Sequence, residues 1–598
     1  MLKDCLDIFE QILKQEGDKL ITDYHIPADG TYIIVDICND GFKMREPFDI
    51  KLDKNSDKAL ETGDIDYNKA KMYDYYSKLV DMNKPMDTTK TIHSNNYLSF
   101  FIKKENIKNK LSDKIIDDFY NILKEPMKKY QSNKKSRDVY KMTEDEIGKV
   151  DEELLESIRS WIKGNIFKLN INTNKDYLKI FFRFKDEDKT IELYKKESKR
   201  YLIPNIYNKN EYNEIIDNKL FGFPNDNLGL NGKKPYLDNK TRKTKIPYLI
   251  DNEEVFLQKK FFDYLSGCAA RKKYNIYIDN DEQKSKTRNT INQLENGKML
   301  EKHDFTGIYL RIQKGKNLEI IDYDIISNYK YNLKKAFYYK SYIDIDLNFS
   351  KGENVEYYSK YYDKKDIQEL LHEVYFSKFL KGNYFTDANE IKFNDNVKKR
   401  NLLMCRNSIF NWLYKGYFND IEAVLNKATL EILKDSVVKG FNISAIHQFN
   451  LRWSFIEYFK GENKMADFLN SVKVNLKEKI NYKSEQNEKL DTIENDMEYF
   501  FAVGQTAYYL LTLSKSSNKN QSLINPFLNA KNDEVIKTTL MRLYKNYNYS
   551  MSLNNKFKKL YSMVLGYRPE SKIDQDILLA GFLSNNLVYE KDEKKGDA

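Results

Sequence analysis

Residues 498–511 read EYFFAVGQTAYYLL, and their apolar positions decide the fold of the C-terminal part of the chain. Phe500, Val503, Ala507 and Leu510 recur every three or four residues, a spacing that places side chains on one face of an α-helix. Three stretches further along the chain have the same period. Their apolar positions are Leu540, Leu543 and Tyr544; Phe557, Leu560, Tyr561, Val564 and Leu565; and Ile577, Leu578, Phe582 and Leu583. Four amphipathic helices with short links predict a helix bundle.

The first half of the chain has a different pattern. Residues 1–20 have helical spacing, with Gly17 as the predicted helix end. Alternating or continuous apolar residues then predict strands, of which 48–52 is the expected antiparallel neighbour of 32–37. The predicted strands are residues 32–37, 48–52, 166–171 and 178–184 and much of 273–350. From residue 364 onward nearly every segment has helical period.

These patterns predict an α+β fold class: a mixed α/β N-terminal body with antiparallel strands, then a helical region and a C-terminal helix bundle. We assign the body to residues 1–363, a helical connector to 364–464 and a four-helix-type bundle to 465–598.

Sequence motifs of the common catalytic sites are absent. The chain has no Walker loop, no GxSxG, no HExxH and no EF-hand loop. His303-Asp304 resembles a pair found in metal phosphohydrolases, but the nearest other histidine is His372. The four cysteines form no CxxC pair, which argues against a structural zinc site. We therefore favour a binding protein over an enzyme and expect no cofactor and no metal.

The N-terminus lacks the pattern of a signal peptide, and no apolar stretch is long enough for a membrane-spanning helix. We expect a cytoplasmic protein without a membrane partner. The net charge of +10 favours anionic partners, but AT-rich codons inflate lysine throughout the chain, so only the placement of charge is informative.

Two basic segments lie in the first half. Residues 124–141 carry seven lysines and arginines against two acids and predict a mobile loop, solvated or in contact with phosphates. Residues 229–245 read GLNGKKPYLDNKTRKTK, with six basic residues and one acid. Glycines let backbone approach a phosphate closely, and Lys and Arg neutralise phosphates. We predict a duplex-DNA contact here, with a partnerless flexible loop as the alternative. The predicted contact residues are Asn231, Gly232, Lys233, Lys234, Tyr236, Lys240, Arg242, Lys243 and Lys245.

The C-terminal segment changes sign along the chain. Residues 485–498 have a net charge of −5, whereas residues 515–572 have eleven basic residues and three acids. Uniform codon bias does not produce such a change, so we predict a basic bundle surface that contacts single-stranded DNA, with an ordinary solvated surface as the alternative. The predicted contact residues are Lys515, Lys519, Lys531, Arg542, Lys545, Lys556, Lys558 and Lys559.

Several of these segments resemble one protein family. EYFFAVGQTAYYL (498–510), SLINPFLNAK (522–531), YKNYNY (544–549) and ILLAGF (577–582) are similar to the C-terminal region of the large subunit of type I-B CRISPR Cascade. KKPYL (233–237), KTRK (240–243) and DGTYI (29–33) are similar to it too. Some relatives have Cys-pair zinc sites that this chain lacks.

The resemblance implies an antiviral-defence subunit that recognises the protospacer-adjacent motif on duplex DNA, stabilises the R-loop and recruits a helicase-nuclease. It implies crRNA, target DNA and the backbone, handle-binding and small subunits of Cascade as partners. The C-terminal bundle resembles the small subunit. Read in AT-rich codons, residues 460–464 would contain a ribosome-binding element, so Met465 is a candidate internal start for a separate product of residues 465–598. The alternative is coincidence, because a Gly-Glu dipeptide upstream of a Met is common.

Two other classes of function stay open from the sequence. Scattered carboxylates are compatible with a metal-dependent nuclease. A structural subunit without a role in nucleic-acid binding is the second alternative, and its behaviour would be insensitive to salt.

Overall fold

The computed structural model describes residues 2–52, 65–131, 133–172, 174–217, 219–224, 249–281, 287–315, 317–345, 356–461, 465–481, 492–513, 522–547 and 554–590. The chain forms two compact units. The first comprises residues 1–296 and 306–325, and the second comprises residues 297–305 and 326–598.

The first unit contains helices and most of the strands. Its helices are α1 (Leu2–Glu16), α2 (Lys19–Thr22), α3 (Ile65–Ser77), α4 (Lys104–Asn109), α5 (Asp113–Lys124), α6 (Met127–Tyr130), α7 (Lys134–Ile147), α8 (Glu152–Asn165), α9 (Glu187–Asn205) and α10 (Asn252–Ala270). Its strands are β1 (Gly30–Cys38), β2 (Gly41–Met44), β3 (Phe48–Ile50), β4 (Ser99–Lys103), β5 (Tyr177–Phe184), β6 (Glu214–Ile216), β7 (Lys219–Gly222), β8 (Ile250–Asp251), β9 (Lys273–Asp279), β10 (Ile291–Glu295), β11 (Phe305–Lys314) and β12 (Leu318–Tyr329).

A mixed five-stranded sheet organises this unit. Its order is β2-β1-β5-β4, and β3 also pairs with β1. The central strands β1 and β5 are parallel, whereas β2, β3 and β4 are antiparallel to their neighbours. Central strands are covered on both faces, which explains the continuous apolar runs in β1 and β5. A second, antiparallel sheet has the order β10-β9-β11-β12.

The second unit is mainly helical. Its strands β13 (Asn332–Tyr338) and β14 (Lys360–Asp363) form an antiparallel pair. The helices are α11 (Lys364–Leu370), α12 (Asn396–Phe410), α13 (Ile421–Val438), α14 (Asn442–Lys460), α15 (Met465–Asn481), α16 (Asp496–Thr512), α17 (Asn525–Leu528), α18 (Asp533–Tyr547), α19 (Asn555–Gly566) and α20 (Gln575–Leu583). Helix α11 continues into a π-helical turn, Leu371–Tyr375.

Two glycines determine how α16 and α20 cross. A Cβ atom at Gly504 would lie 2.2 Å from the carbonyl oxygen of Leu578, and one at Gly581 would lie 2.1 Å from that of Phe501. Only glycine permits this close approach of two helix backbones. Beside the crossing, the buried Gln505 donates from Nε2 to the Gly581 carbonyl (2.5 Å) and accepts from the Leu587 N–H (2.8 Å). The crossing therefore fixes residues 581–587 onto α16.

The buried apolar core of the bundle also includes residues of the preceding helices α13 and α14. Apolar residues of α15, α16, α18, α19 and α20 form one buried cluster with Leu433 of α13 and Phe449 of α14. Arg452 of α14 also makes a two-bond contact with Asp576 of α20, at 2.7 and 2.9 Å. Residues 465–590 thus share their core with the preceding helices.

Most of the predicted architecture is present. The α+β fold class is confirmed, as is the helix that ends before Gly17. The two strands predicted at 32–37 and 48–52 are antiparallel neighbours, and the paired residues are 30–32 and 48–50. The four predicted bundle helices correspond to α16, α18, α19 and α20, with α15 as a further helix. The domain limits drawn from the sequence, 363/364 and 464/465, differ from the division at residues 325/326.

Two local predictions are wrong. Residues 166–168 form a 3-10 turn at the end of α8, and no strand is assigned at 166–171. The basic run 124–141 is largely helical, because its lysines find partners: Lys129 donates to the Pro85 carbonyl, and Lys135 donates to the Asn213 carbonyl (2.7 Å). Lys124 pairs with Glu152 (3.2 Å) and Glu156 (3.3 Å) of α8.

Candidate nucleic-acid interface

The predicted duplex contact lies outside the described residues. This applies to all nine of its residues: Asn231, Gly232, Lys233, Lys234, Tyr236, Lys240, Arg242, Lys243 and Lys245. The contact therefore stays a prediction from sequence.

The predicted single-strand contact is partly described. Lys515 and Lys519 lie outside the described residues. Lys531, Arg542, Lys545 and Lys558 are exposed, and no ion pair joins them to another described residue. Lys556 is half-buried and donates to the Glu590 carbonyl (2.8 Å), and Lys559 is also half-buried. Met465 begins α15, and its side chain is outside the described atoms.

Helices α18 and α19 carry both exposed cations and a pair of stacked aromatic rings. Tyr544 of α18 stacks on Tyr561 of α19, with ring centroids 4.6 Å apart and an angle of 19° between the planes. Arg542 and Lys545 are three residues apart on α18, and Lys558 and Tyr561 are three apart on α19, so each pair shares a helix face. We call Arg542, Tyr544, Lys545, Lys558 and Tyr561 the bundle face.

The bundle face has few acids around it. Helix α19 contains no acidic residue, and those of α18 lie in its first turn. Both rings are half-buried, so part of each aromatic surface is accessible. Proteins that bind single-stranded nucleic acids commonly combine cations, which contact phosphates, with aromatic rings, which stack on bases.

Two acids at the start of α16, Asp496 and Glu498, have contacts with other elements of the bundle. Glu498 is 1% exposed on its side chain and pairs with Lys479 at 2.8 Å. Asp496 accepts the backbone N–H groups of Glu570 (3.1 Å) and Ser571 (2.6 Å). Hydrogen bonds from Ser571 lower the pKa of this carboxyl against a desolvation that raises it. Glu498 thus links α16 to α15, and Asp496 links α16 to the residues that follow α19.

Sequence reasoning missed a lysine-lined cavity in the first unit. The cavity has a volume of about 550 Å³. Its cations are Lys78 after α3, Lys179 on β5, Lys259 on α10 and Lys314 at the end of β11. Four elements contribute one lysine each, and the fold alone brings them together.

One carboxylate in this cavity serves two lysines. Asp263 of α10 pairs with Lys78 (2.9 Å) and with Lys259, and it also accepts from the Tyr75 hydroxyl (3.1 Å). The two cations hold the pKa of Asp263 well below its usual range against desolvation, the largest single influence. Desolvation lowers the pKa of Lys259, and the Asp263 charge opposes this. Lys314 is exposed, and desolvation and then the Lys78 charge lower its pKa.

A neutral histidine and an internal ion pair complete the wall. His93 Nε2 lies 3.0 Å from the Lys90 carbonyl, which only accepts, so this nitrogen carries the hydrogen and Nδ1 accepts from the Tyr177 hydroxyl (3.0 Å). Desolvation lowers the pKa of His93. Lys179 pairs with the buried Asp74 behind the wall and lies 4.6 Å from the ring centre of Phe101.

A second cavity adjoins this cluster. It has a volume of about 280 Å³ and shares Lys78 and Lys259 with the first. Its other cations are Lys195, Lys199 and Lys260, and its one lining acid is Asp18. Asp18 pairs with Lys260 (2.7 Å) and Lys195 (3.4 Å). The two cavities together make α3, α9 and α10 a second concentration of positive charge.

Residues that suggested metal chemistry are not assembled into a site. His303 is exposed, and Asp304 pairs with Lys330 at 3.4 Å. Within the described ranges, no three His, Cys, Asp or Glu side chains are grouped as metal ligands. In the same ranges, no helix combines the length and apolarity needed to cross a bilayer.

Comparison with models of known families, with curated proteins and with solved structures finds no match to this chain.

Proposed function

We propose that the protein is a non-catalytic, nucleic-acid-binding large subunit of a type I-B Cascade complex, and that its C-terminal bundle holds the displaced DNA strand. The observation that carries this proposal is the bundle face, where Arg542, Lys545 and Lys558 are exposed on the same two helices as the stacked Tyr544 and Tyr561. The similarity of residues 498–510, 522–531, 544–549 and 577–582 to that family supports it.

The bundle face fits a single strand better than a duplex. Bases in a duplex are stacked on each other, so their faces are closed to protein rings, whereas an unpaired strand exposes them. Tyr544 and Tyr561 offer stacking surfaces that do not discriminate between bases. The exposed cations of the same two helices neutralise phosphates without reading sequence. Such a surface suits a strand of arbitrary sequence, as the displaced strand of an R-loop is.

In this proposal duplex recognition falls to residues 229–245, and crRNA and the other Cascade subunits are the partners. The helicase-nuclease acts on the strand that the bundle holds open. The chain itself contributes binding energy and no chemical step.

Charge reversal on the bundle face tests the proposal. The double variant Arg542→Glu/Lys545→Glu should weaken binding of labelled single-stranded DNA by the full chain, measured by fluorescence anisotropy. Each lost phosphate contact lowers the slope of log K against log salt by about 0.7 for a single strand. The double variant should therefore lower the slope by about 1.4.

Lys427→Glu is the matched control, because Lys427 is an exposed lysine on α13, away from α18 and α19 in sequence. It should leave the slope unchanged. The same variants in the complex assembled with crRNA should shorten the lifetime of the opened duplex while initial duplex binding persists. Equal losses for the control and the double variant would show a non-specific charge effect and refute the assignment.

A further inference from the structure

The cavity between α3, β5, α10 and the β11–β12 turn has the features of a small-ligand site. It is enclosed by residues of the first unit, and its volume of about 550 Å³ lies within the range of roughly 300–1,000 Å³ for pockets that hold small molecules and cofactors. From the size, charge and wall chemistry of this cavity, we propose that it binds a free nucleotide, with the phosphates between Lys78, Lys259 and Lys314.

The charge of the cavity favours a polyanion. Its lining contains four lysines and two aspartates, Asp81 and Asp263. One of these carboxylates, Asp263, is shared by Lys78 and Lys259, so it neutralises only one of the two. Lys314 has no partner among the described residues and faces the positive charge of Lys78. A phosphate group among these ammonium groups would relieve their mutual repulsion and accept their hydrogen bonds.

The rest of the wall favours a ligand with a planar apolar part. Leu79, Val80 and Leu318 line the cavity together with the half-buried ring of Phe262. Inorganic phosphate is far smaller than this cavity and has no apolar surface to pack against these side chains. A nucleotide uses both regions, because its base packs on aromatic and aliphatic side chains while its phosphates bind lysines.

The polar groups deeper in the wall are already ordered. Tyr177 is hydrogen-bonded to His93, which is hydrogen-bonded to the Lys90 carbonyl, and Lys179 is paired with Asp74. These contacts fix the wall without a ligand. Of the cations that remain for a ligand, Lys314 is exposed, whereas Lys78 and Lys259 are half-buried. The ion pair with Asp74 accounts for the position of Lys179 without a ligand. No described ion pair accounts in the same way for Lys314.

Calorimetric titration of the full chain with ADP tests this inference. ADP should bind at low salt and bind more weakly as salt rises. Lys314→Gln and Lys259→Gln should each weaken binding about tenfold, the usual effect of losing a hydrogen bond to a charged group. Lys259→Gln leaves Lys78 in place to neutralise Asp263, and Lys314→Gln changes an exposed side chain, so both variants should fold.

Lys114→Gln is the control, since Lys114 is exposed on α5 and lies outside the cavity lining. Absence of ADP binding at millimolar concentration would overturn the inference. So would inorganic phosphate binding as tightly as ADP, or binding confined to oligonucleotides, because neither outcome involves the apolar wall and a free nucleotide together. The reversal of Arg542 and Lys545 should leave ADP binding unchanged, so failure here is separable from failure of the proposed function.

Discussion

Replacing Gly504 with alanine should destabilise the second unit by about 2–4 kcal/mol. The added Cβ atom would lie 2.2 Å from the Leu578 carbonyl oxygen and 2.6 Å from the Phe582 nitrogen. Both are backbone atoms of α20, so no side-chain rotation relieves the contact. Ordinary contact begins at 3.4 Å, so the two helices must separate by about 1 Å.

The magnitude follows from three contributions. Overpacking of a close-packed core costs about 1–3 kcal/mol. Separation also weakens the two hydrogen bonds of the buried Gln505 with Gly581 and Leu587, each worth about 1 kcal/mol. Alanine has a better helix propensity than glycine by about 1 kcal/mol, which offsets part of the loss. The sum remains destabilising.

Urea denaturation of the full chain, followed by circular dichroism, measures this change as a shift in the midpoint of the transition of the second unit. Gly566→Ala is the control in the same bundle, because nothing lies within 4 Å of a Cβ atom at this end of α19. It should be neutral or slightly stabilising. If Gly504→Ala unfolds at the same urea concentration as Gly566→Ala, the close crossing of α16 and α20 is wrong.

Two further substitutions test buried polar contacts in the same unit. Arg452→Met leaves Asp576 without its two-bond partner and should cost about 3–5 kcal/mol in a denaturation experiment. Adding Asp576→Leu should restore much of this loss, and a double variant as unstable as the single one would contradict the pairing. Burial, and then the charge of Lys381, lowers the pKa of His372 from 6.5 to about 4. Its Nδ1 accepts the backbone N–H groups of Leu380 (3.1 Å) and Lys381 (3.3 Å), which protonation would break. The folded state thus disfavours the proton, so this stability is present above about pH 6.5 and is lost as pH falls towards 4. Melting temperatures between pH 7.5 and 5 should fall less in His372→Asn than in the unsubstituted chain, and parallel curves would contradict this.

Helices α18 and α19 were predictable because each buries one face, and a buried face leaves a period in the sequence. Helices α16 and α20 are instead buried on nearly all sides. The spacing of Leu540 and Leu543, and of Leu560 and Val564, predicts a helix even when the elements packed against it are unknown. The segment 166–171 alternates in the same way as a strand, yet it follows directly on α8, and the local pattern cannot reveal that the helix ends in a 3-10 turn there.

Charge was harder to interpret than apolar period. The basic run 124–141 resembled a solvated loop because its partners, such as Glu156 and the carbonyl groups of Pro85 and Asn213, are distant in sequence. The clustering of the cavity lysines was not predictable for the same reason, since Lys78, Lys179 and Lys259 come from separate elements. Exposed Arg542 and Lys545 were predictable because they lie within one short helix.

The shared core of the bundle bears on any shorter polypeptide that begins at Met465. Such a product would contain Asp576 without Arg452, and the apolar side chains that contact Leu433 and Phe449 would face water. It would therefore expose an apolar surface on the side that packs against α13 and α14 in the full chain. A shorter polypeptide of this kind gains stability from any protein that offers an arginine and an apolar helix face in the arrangement of α13 and α14. Translation from Met465 would thus yield a polypeptide with an exposed binding surface. The surface that complements it is formed by α13 and α14, which precede Met465 in the full chain.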